Sequence, residues 1–341
     1  MPRVCDDDNH PLTQAVVSEK HDDKRPFSQR LGAAAAKTLK PALATTRFLL
    51  TVMLPVSFVV LVLDSSGVLY HIAHAMHPLM RFLGLRGEAS LAFISAVFLN
   101  IYSALAVIGT LHLSPRELVI LATMCFIAHN FFVECLVMRK TGSFLPKMLF
   151  LRLFCAVAAA WLMHIILPAS LDAVETTAIP VRAAAFEGFL AMLLAWLVDN
   201  GLLILRVVLI IFGVTFVHKA LDEFGLMMTL GRLTAPVMKL LGLPPNVGYV
   251  WIAANVADVA YSAALLMEAV KAGTLSQSEA DLFNHHAAIS HSQLGDTLLF
   301  TGIGVPYLWA ALPRFLLAVL VVWLERGRRE LVRRSFSVKV E

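Results

Sequence analysis

Long apolar runs, separated by short polar connections, constrain this chain more than any other feature of its sequence. They cover approximately Thr46–Leu63, Ala89–Leu111, Pro115–Met138, Met148–Leu167, Ala183–Phe216, Tyr249–Val270 and Val305–Leu324. Charged residues make up 15% of the chain, well below the ~25% of ordinary soluble domains. Because a helix satisfies all its backbone hydrogen bonds within itself, such runs predict an all-α polytopic membrane protein.

The charged residues lie mostly in the ends and loops, where Lys and Arg set membrane topology rather than bind nucleic acid. The four cysteines include no CxxC pair, so neither a disulfide framework nor a zinc finger is predicted. The polar N-terminus lacks the apolar core of a signal peptide. We expect a disordered cytoplasmic tail at residues 1–30 and a basic cytoplasmic tail at 327–341.

The sequence repeats itself. "HPLMRFLGL" from His77 matches "APVMKLLGL" from Ala235, at an offset of 158 residues that also pairs Asn100 with Asp258. After an insertion near Lys271 the offset becomes 162. At that offset the paired residues are His129 and His291, Glu134 and Asp296, Arg152 and Arg314, and Trp161 and Trp323. This register predicts a duplication, with one repeat at 31–170 and the other at 181–326.

Charge distribution predicts the orientation of the repeats. If Ala89–Leu111 and Tyr249–Val270 are re-entrant hairpins, each repeat has about three membrane spans and an interfacial helix, and the second repeat is inverted. Four full spans per repeat would make the repeats parallel, with more Lys and Arg outside. The inverted arrangement has both termini in the cytoplasm, Lys140 and Lys219 inside, and Arg116 and Arg182 outside.

The stretch Ser276–Gly304, "SQSEADLFNHHAAISHSQLGDTLLFTGIG", is too polar for its apolar surroundings. Ionisable groups at membrane depth usually face the protein interior or a water-filled cavity. As one continuous helix, this stretch would place His291 and Asp296 about 140° apart, on different faces, with Asp296 facing the same way as Ser292 and His285.

We expect polar residues of both repeats to form a binding site near the membrane midplane. The candidates are Asn100, His129, Asn130, Glu134, Asn255, Asp258, His291, Ser292 and Asp296. Imidazole and carboxylate groups can bind a transition metal or carry protons. His285 and His291 could be metal ligands, and His291 is expected to matter more than His129. No resident cofactor is expected, although a divalent metal could be substrate or ligand. Interhelical hydrogen bonding is the alternative role.

The segment "GEASLAFISAVFLNIYSALAVIGTLHLSPRELVILATMCFIAHNFFVE" resembles the gate, or nucleoside-recognition, domain family. That family includes sporulation maturation membrane proteins, the membrane gates of bacterial ferrous-iron transporters and, more distantly, concentrative nucleoside transporters. The resemblance implies two gate units, at about 45–165 and 205–325, and a role in transport.

The expected function is therefore that of a transporter or permease-like gate in the bacterial inner membrane. Its partners would be the lipid bilayer and a small polar solute or ion, without nucleic acid, and the chain could form a homo-oligomer. A non-transporting membrane subunit and an intramembrane metal-dependent enzyme are the alternatives. "HHAAISH" departs from the HExxH pattern and the chain lacks GxSxG, so no enzyme is expected.

Overall fold

The computed structural model describes residues 25–66, 68–172, 189–256 and 259–337. Two long helices, α1 (Phe27–Ser65) and α8 (Phe189–Glu223), pack against each other. Helix α1 begins well before the apolar run that starts near Thr46. Its early turns are held by Glu223, whose carboxylate pairs with Arg25 and Lys37 at 2.5 Å each. The predicted span is therefore only the apolar part of a longer helix.

From the first apolar hairpin onward, the helices of the two halves follow in the same order. After α1 come α2 (Val68–Phe82), α3 (Ala89–Phe98), α4 (Ile101–Ile108), α5 (Pro115–Ala128), α6 (Phe131–Lys140), α7 (Leu145–Ile166) and a 3-10 turn (Ala169–Asp172). After α8 come α9 (Leu226–Leu233), α10 (Ala235–Leu240), a 3-10 turn (Pro245–Val247), α11 (Gly248–Val256), α12 (Val259–Lys271), α13 (Gln277–Ala287), α14 (Gly295–Thr301) and α15 (Tyr307–Ser337). At the two offsets found in the sequence, α3 to α7 coincide with α11 to α15.

The apolar stretch Ala89–Leu111 is divided at Asn100. This residue is extended (φ −164°), and its side-chain oxygen accepts a hydrogen bond from the Ser103 N–H at 2.9 Å, so it caps the start of α4. Helices α3 and α4 pack against each other. With ten and eight residues they are about 15 and 12 Å long, too short to cross a hydrocarbon core of about 30 Å. Helices α3 and α4 therefore form a helical hairpin, and α11 and α12 pack against each other in the same way.

The sequence prediction of single helices over Pro115–Met138 and Ser276–Gly304 is wrong. Each starts as a helix with a capping box, at Ser114 and at Ser276. The first breaks after Ala128 and resumes at Phe131, and the second breaks after Ala287 and resumes at Gly295. Neither break is caused by proline or glycine. At each break a backbone N–H bonds the neighbouring hairpin instead of its own helix, Asn130 to Ala96 O (3.0 Å) and Ser292 to Ala254 O (2.7 Å).

Four helical segments of the described chain are long and apolar enough to cross a membrane: Pro115–Lys140, Leu145–Ile166, Ile204–Glu223 and Tyr307–Ser335. The broken segment Pro115–Lys140 is 83% buried along its most apolar stretch, whereas the others are 11–33% buried there. The broken segment therefore lies inside the protein, and the other three present apolar surface outward. The number of spans per half and the inverted orientation stay predictions.

An apolar cluster shared by the two halves surrounds the helix breaks. Ile127, Ala128 and Phe131 from the first half are buried together with Ala288 and Ile289 from the second. Helix α15 packs against both α5 and α7, across the same boundary. Polar groups placed at the breaks are thus enclosed by apolar side chains, where an unsatisfied charge is costly.

Candidate functional site

The two helix breaks bring four ionisable side chains to one buried point, which we call the His–carboxylate centre: His129, Glu134, His291 and Asp296. Each is at most 8% exposed. The Nε2 atoms of the two histidines are 3.3 Å apart. Glu134 lies between them, with Oε1 3.3 Å from His129 Nε2 and Oε2 3.5 Å from His291 Nε2. Asp296 Oδ2 is 3.6 Å from His129 Nε2. Each half contributes one imidazole and one carboxylate.

The backbone sets the orientation of both imidazole rings. His129 Nδ1 lies 3.1 Å from the carbonyl oxygens of Cys125 and Phe126, and His291 Nδ1 lies 2.7 Å from that of Ala287. A carbonyl oxygen only accepts, so this geometry assigns the ring proton to Nδ1 in both residues. In the neutral imidazole, Nε2 then carries a lone pair directed into the centre.

Two arginines anchor the centre from behind. Arg152 Nη2 pairs with Glu134 Oε2 and donates to His129 O, both at 2.8 Å, and its Nε donates to Ile127 O at 2.9 Å. Arg314 donates to His291 O at 3.2 Å and to Thr297 Oγ1 at 2.6 Å. Both arginines are fully buried. They bind backbone carbonyls that the helix breaks leave without helical partners, which holds each break in place.

The structure corrects the predicted separation of His291 and Asp296. The 140° between them assumed one helix, but the chain turns back at Ser292, whose φ is +46°. A ligand atom from each of His129, His291 and Asp296 lies within 4.8 Å of the other two. The expectation that Asp296 shares a helix face with Ser292 and His285 is wrong for the same reason.

The other predicted site residues hold the surrounding backbone. Asn100 caps α4, and the N–H groups of Asn130 and Ser292 tie the breaks to the hairpins. Asn255 donates a hydrogen bond from Nδ2 to the Trp251 backbone oxygen at 2.8 Å. The backbone carbonyl of Asn255 accepts a hydrogen bond from the Leu294 N–H at 3.0 Å. Asp258, the repeat partner of Asn100, lies outside the described residues.

His285 belongs to a second polar cluster, separate from His291. Its Nδ1 lies 3.8 Å from Asp281 Oδ2 and its Nε2 lies 3.9 Å from Glu325 Oε2. Cations already neutralise these carboxylates: Lys147 and Arg328 bind Glu325 at 2.8 Å, and Arg329 binds both Glu325 and Asp281. This cluster is an ion-pair network joining α13, α15 and the start of α7, and it offers no unneutralised carboxylate to a ligand.

Sequence reasoning did not assign Arg152 and Arg314 to the site. The two arginines occupy equivalent positions in the repeats, and arginine is rare within an apolar run. These two signals together could have identified them as site residues. Thr297, which is fully buried against Arg314, had no signal beyond its neighbourhood.

The chemistry of the centre follows from its donors and acceptors. An imidazole with its proton on Nδ1 presents a lone pair at Nε2, and carboxylate oxygens accept hydrogen bonds or bind cations. Asp296 Oδ2 is buried without a hydrogen-bond partner. Such a set of acceptors is suited to hold a cation or protons.

Part of the sequence matches a known family model. Residues 47–144 match the family model of the gate domain, described as nucleoside recognition. This segment is similar to the gate domain. It contains the first hairpin, α5, α6 and therefore His129 and Glu134. The match ends before the second half, so a second gate unit there is a proposal supported by the repeated order of elements.

A bacterial relative matches most of the chain. The "Uncharacterized membrane protein YvoD" of Bacillus subtilis (strain 168) is 28% identical over 277 residues, covering 81% of this chain and 89% of the relative. No solved structure matches. The chain is thus a membrane protein with a segment similar to the gate domain, and most of its length is similar to another membrane protein.

Proposed function

We propose that this gate-domain protein is a transporter or permease-like gate, which moves a small polar solute or ion through the His–carboxylate centre. The observation that carries the proposal is the meeting of two broken helices, one from each half, at a buried cluster of charges. Ionisable groups in a membrane interior are costly and usually mark a pathway. Broken helices that meet between two structural repeats are a recurrent design of transporter binding sites.

The division of the centre between the halves supports a transport cycle. His129 and Glu134 move with the first half, and His291 and Asp296 move with the second. A rotation of one half against the other would separate these pairs and open the centre toward one side of the membrane. Arg152 would keep Glu134 with the backbone of His129 during this motion, and Arg314 would keep the backbone of His291 with Thr297.

The proposed location is the bacterial inner membrane, with both termini in the cytoplasm. The bacterial relative and the distribution of Lys and Arg favour this arrangement. We also propose that the protein is not an enzyme, because its sequence departs from the HExxH pattern and lacks GxSxG.

The test is solute-evoked current in liposomes containing the purified protein. Concentration jumps of nucleosides, small carboxylates and divalent cations are applied in turn on a supported membrane. We expect a transient current with one solute class in wild type, and its loss in Asp296→Asn and His291→Gln. The matched control is His112→Gln, since His112 is exposed and lies in the loop before α5.

A wild-type protein that gives no current with any class would contradict transport and favour the role of a non-transporting subunit. Hydrolysis of a membrane substrate without current would favour the enzyme. A current that survives in both centre variants would mean that the solute takes another route.

A further inference from the structure

Two unprotonated imidazole nitrogens face each other in the His–carboxylate centre. Both Nδ1 protons are held by backbone carbonyls, so the Nε2 lone pairs of His129 and His291 meet at 3.3 Å. Two lone pairs at this distance repel unless a positive charge lies between them. Each carboxylate also has an oxygen within 3.6 Å of an Nε2. The two nitrogens and the carboxylate oxygens are therefore arranged to surround one cation.

The spacing of these atoms matches a tetrahedral metal site. Zn²⁺ binds imidazole nitrogen and carboxylate oxygen at about 2.0–2.2 Å, which places neighbouring ligand atoms about 3.3–3.6 Å apart at tetrahedral angles. The Nε2 atoms of the two histidines are 3.3 Å apart, and His129 Nε2 lies 3.6 Å from Asp296 Oδ2. Glu134 places a different oxygen near each histidine, Oε1 3.3 Å from His129 Nε2 and Oε2 3.5 Å from His291 Nε2. His129, His291 and Asp296 therefore form the core of the site, and Glu134 borders it. An Nδ1–H bonded to a backbone carbonyl is also the usual support for a histidine ligand, since it orients the ring.

The ligand types select the class of cation. Mg²⁺ and Ca²⁺ prefer shells made of oxygen alone, whereas imidazole suits Zn²⁺ and neighbouring transition metals. A proton shared by the two histidines would use the nitrogens and leave Asp296 Oδ2 without a partner. A divalent metal would engage both nitrogens and both carboxylates together.

The buried arginines determine how tightly such an ion is held. Arg152 and Arg314 balance the charges of Glu134 and Asp296, so the centre is formally neutral before an ion enters. Glu134 also shares its Oε2 with Arg152. A permanent structural site would gain from uncompensated negative charge, whereas a pathway must release its ion. The arginines therefore favour a transported ion over a fixed one.

We propose that the His–carboxylate centre binds a divalent transition-metal cation of the Zn²⁺ class through His129 Nε2, His291 Nε2, Asp296 and Glu134. This ion is the solute that the protein moves, a part of the inference that rests on the proposed function. The ion-pair network around His285 is not part of the site.

The binding test uses full-length protein in detergent, stripped with a chelator and titrated with Zn²⁺ against a fluorescent zinc indicator. We expect one Zn²⁺ per chain in wild type and an affinity at least tenfold lower in His129→Gln, His291→Gln and Asp296→Asn. His285→Gln and the surface control His112→Gln should bind as wild type does. The proposal is overturned if wild type binds no Zn²⁺, or if His285→Gln abolishes binding while the centre variants retain it.

A second measurement needs no variant, and so stands even if the substitutions prevent folding. X-ray absorption of the Zn²⁺-loaded wild type counts the imidazoles around the metal. Two imidazoles are expected at the centre, whereas the network around His285 supplies one. One imidazole or none would overturn the assignment.

Zn²⁺ entry into liposomes separates this inference from the proposed function. Uptake that is lost in His291→Gln supports both. Zn²⁺ binding without movement of any solute would contradict transport and leave the metal site standing. Movement of another solute, with no Zn²⁺ binding, would retain transport and overturn the metal.

Discussion

Asn130 and Ser292 adopt the same left-handed backbone conformation, with φ of 47° and 46°, at equivalent positions in the two halves. They are the only non-glycine residues with positive φ among those that the structure describes. Each directs its N–H to a hairpin carbonyl, and each stands beside a histidine of the centre. The centre thus depends on a backbone conformation that most side chains disfavour.

The first prediction concerns this conformation. Asn130→Val and Ser292→Val should each destabilise the protein by about 1–3 kcal/mol, because β-branched residues are strained at positive φ. Asn130→Gly and Ser292→Gly should be neutral or stabilising, since glycine adopts this conformation freely. Thermal unfolding in detergent measures the difference. Equal melting temperatures for the Val and Gly variants would show that the left-handed turns are not required.

The second prediction concerns the buried ion pair between Arg152 and Glu134. Arg152→Met should cost about 3–5 kcal/mol, because it leaves a buried carboxylate without its cation. Adding Glu134→Gln should recover part of this loss, since the unpaired charge is removed as well. A double-mutant cycle from unfolding free energies measures the coupling. Strictly additive losses would mean that the two groups do not interact energetically.

The third prediction concerns the two histidines. The sequence favoured His291, but His129 has as many partners in the centre, so His129→Gln and His291→Gln should weaken Zn²⁺ binding by similar factors. Binding in wild type should also weaken as the pH falls, because protons compete with the metal for Nε2. Indicator titrations at two pH values measure both effects. Loss of binding in only one variant would show that the other histidine is a packing residue.

The fourth prediction concerns topology. Single cysteines introduced by Lys140→Cys and Lys219→Cys should react with an impermeant reagent only from the cytoplasmic side, and those introduced by Arg116→Cys and Arg182→Cys only from the other side. The natural cysteines Cys125, Cys135 and Cys155 are buried, so replacing Cys5 leaves a low background. Labelling of position 140 from outside would contradict the inverted arrangement and favour parallel repeats.

Sequence register predicted the pairing of the halves better than it predicted their geometry. The pairs His129–His291 and Glu134–Asp296 were found because their spacing is preserved along the chain. Their meeting point was missed because the helix breaks follow from hydrogen bonds to Ala96 and Ala254, which are distant in sequence. No glycine or proline marks either break. Asn100, which does interrupt an apolar run, was assigned to the pathway, and the structure uses it as a helix cap.

The difference between Glu134 and Asp296 has a consequence for symmetry. Two copies of a single unit, related by a two-fold axis, would have to present identical carboxylates to the centre. One chain that contains both halves is free of that constraint, so one carboxylate can be longer by a methylene and can reach the guanidinium of Arg152. The shorter carboxylate has no arginine within ion-pair distance among the described residues. If the centre holds an ion as proposed, the ion would therefore meet a different carboxylate environment on the side of each half.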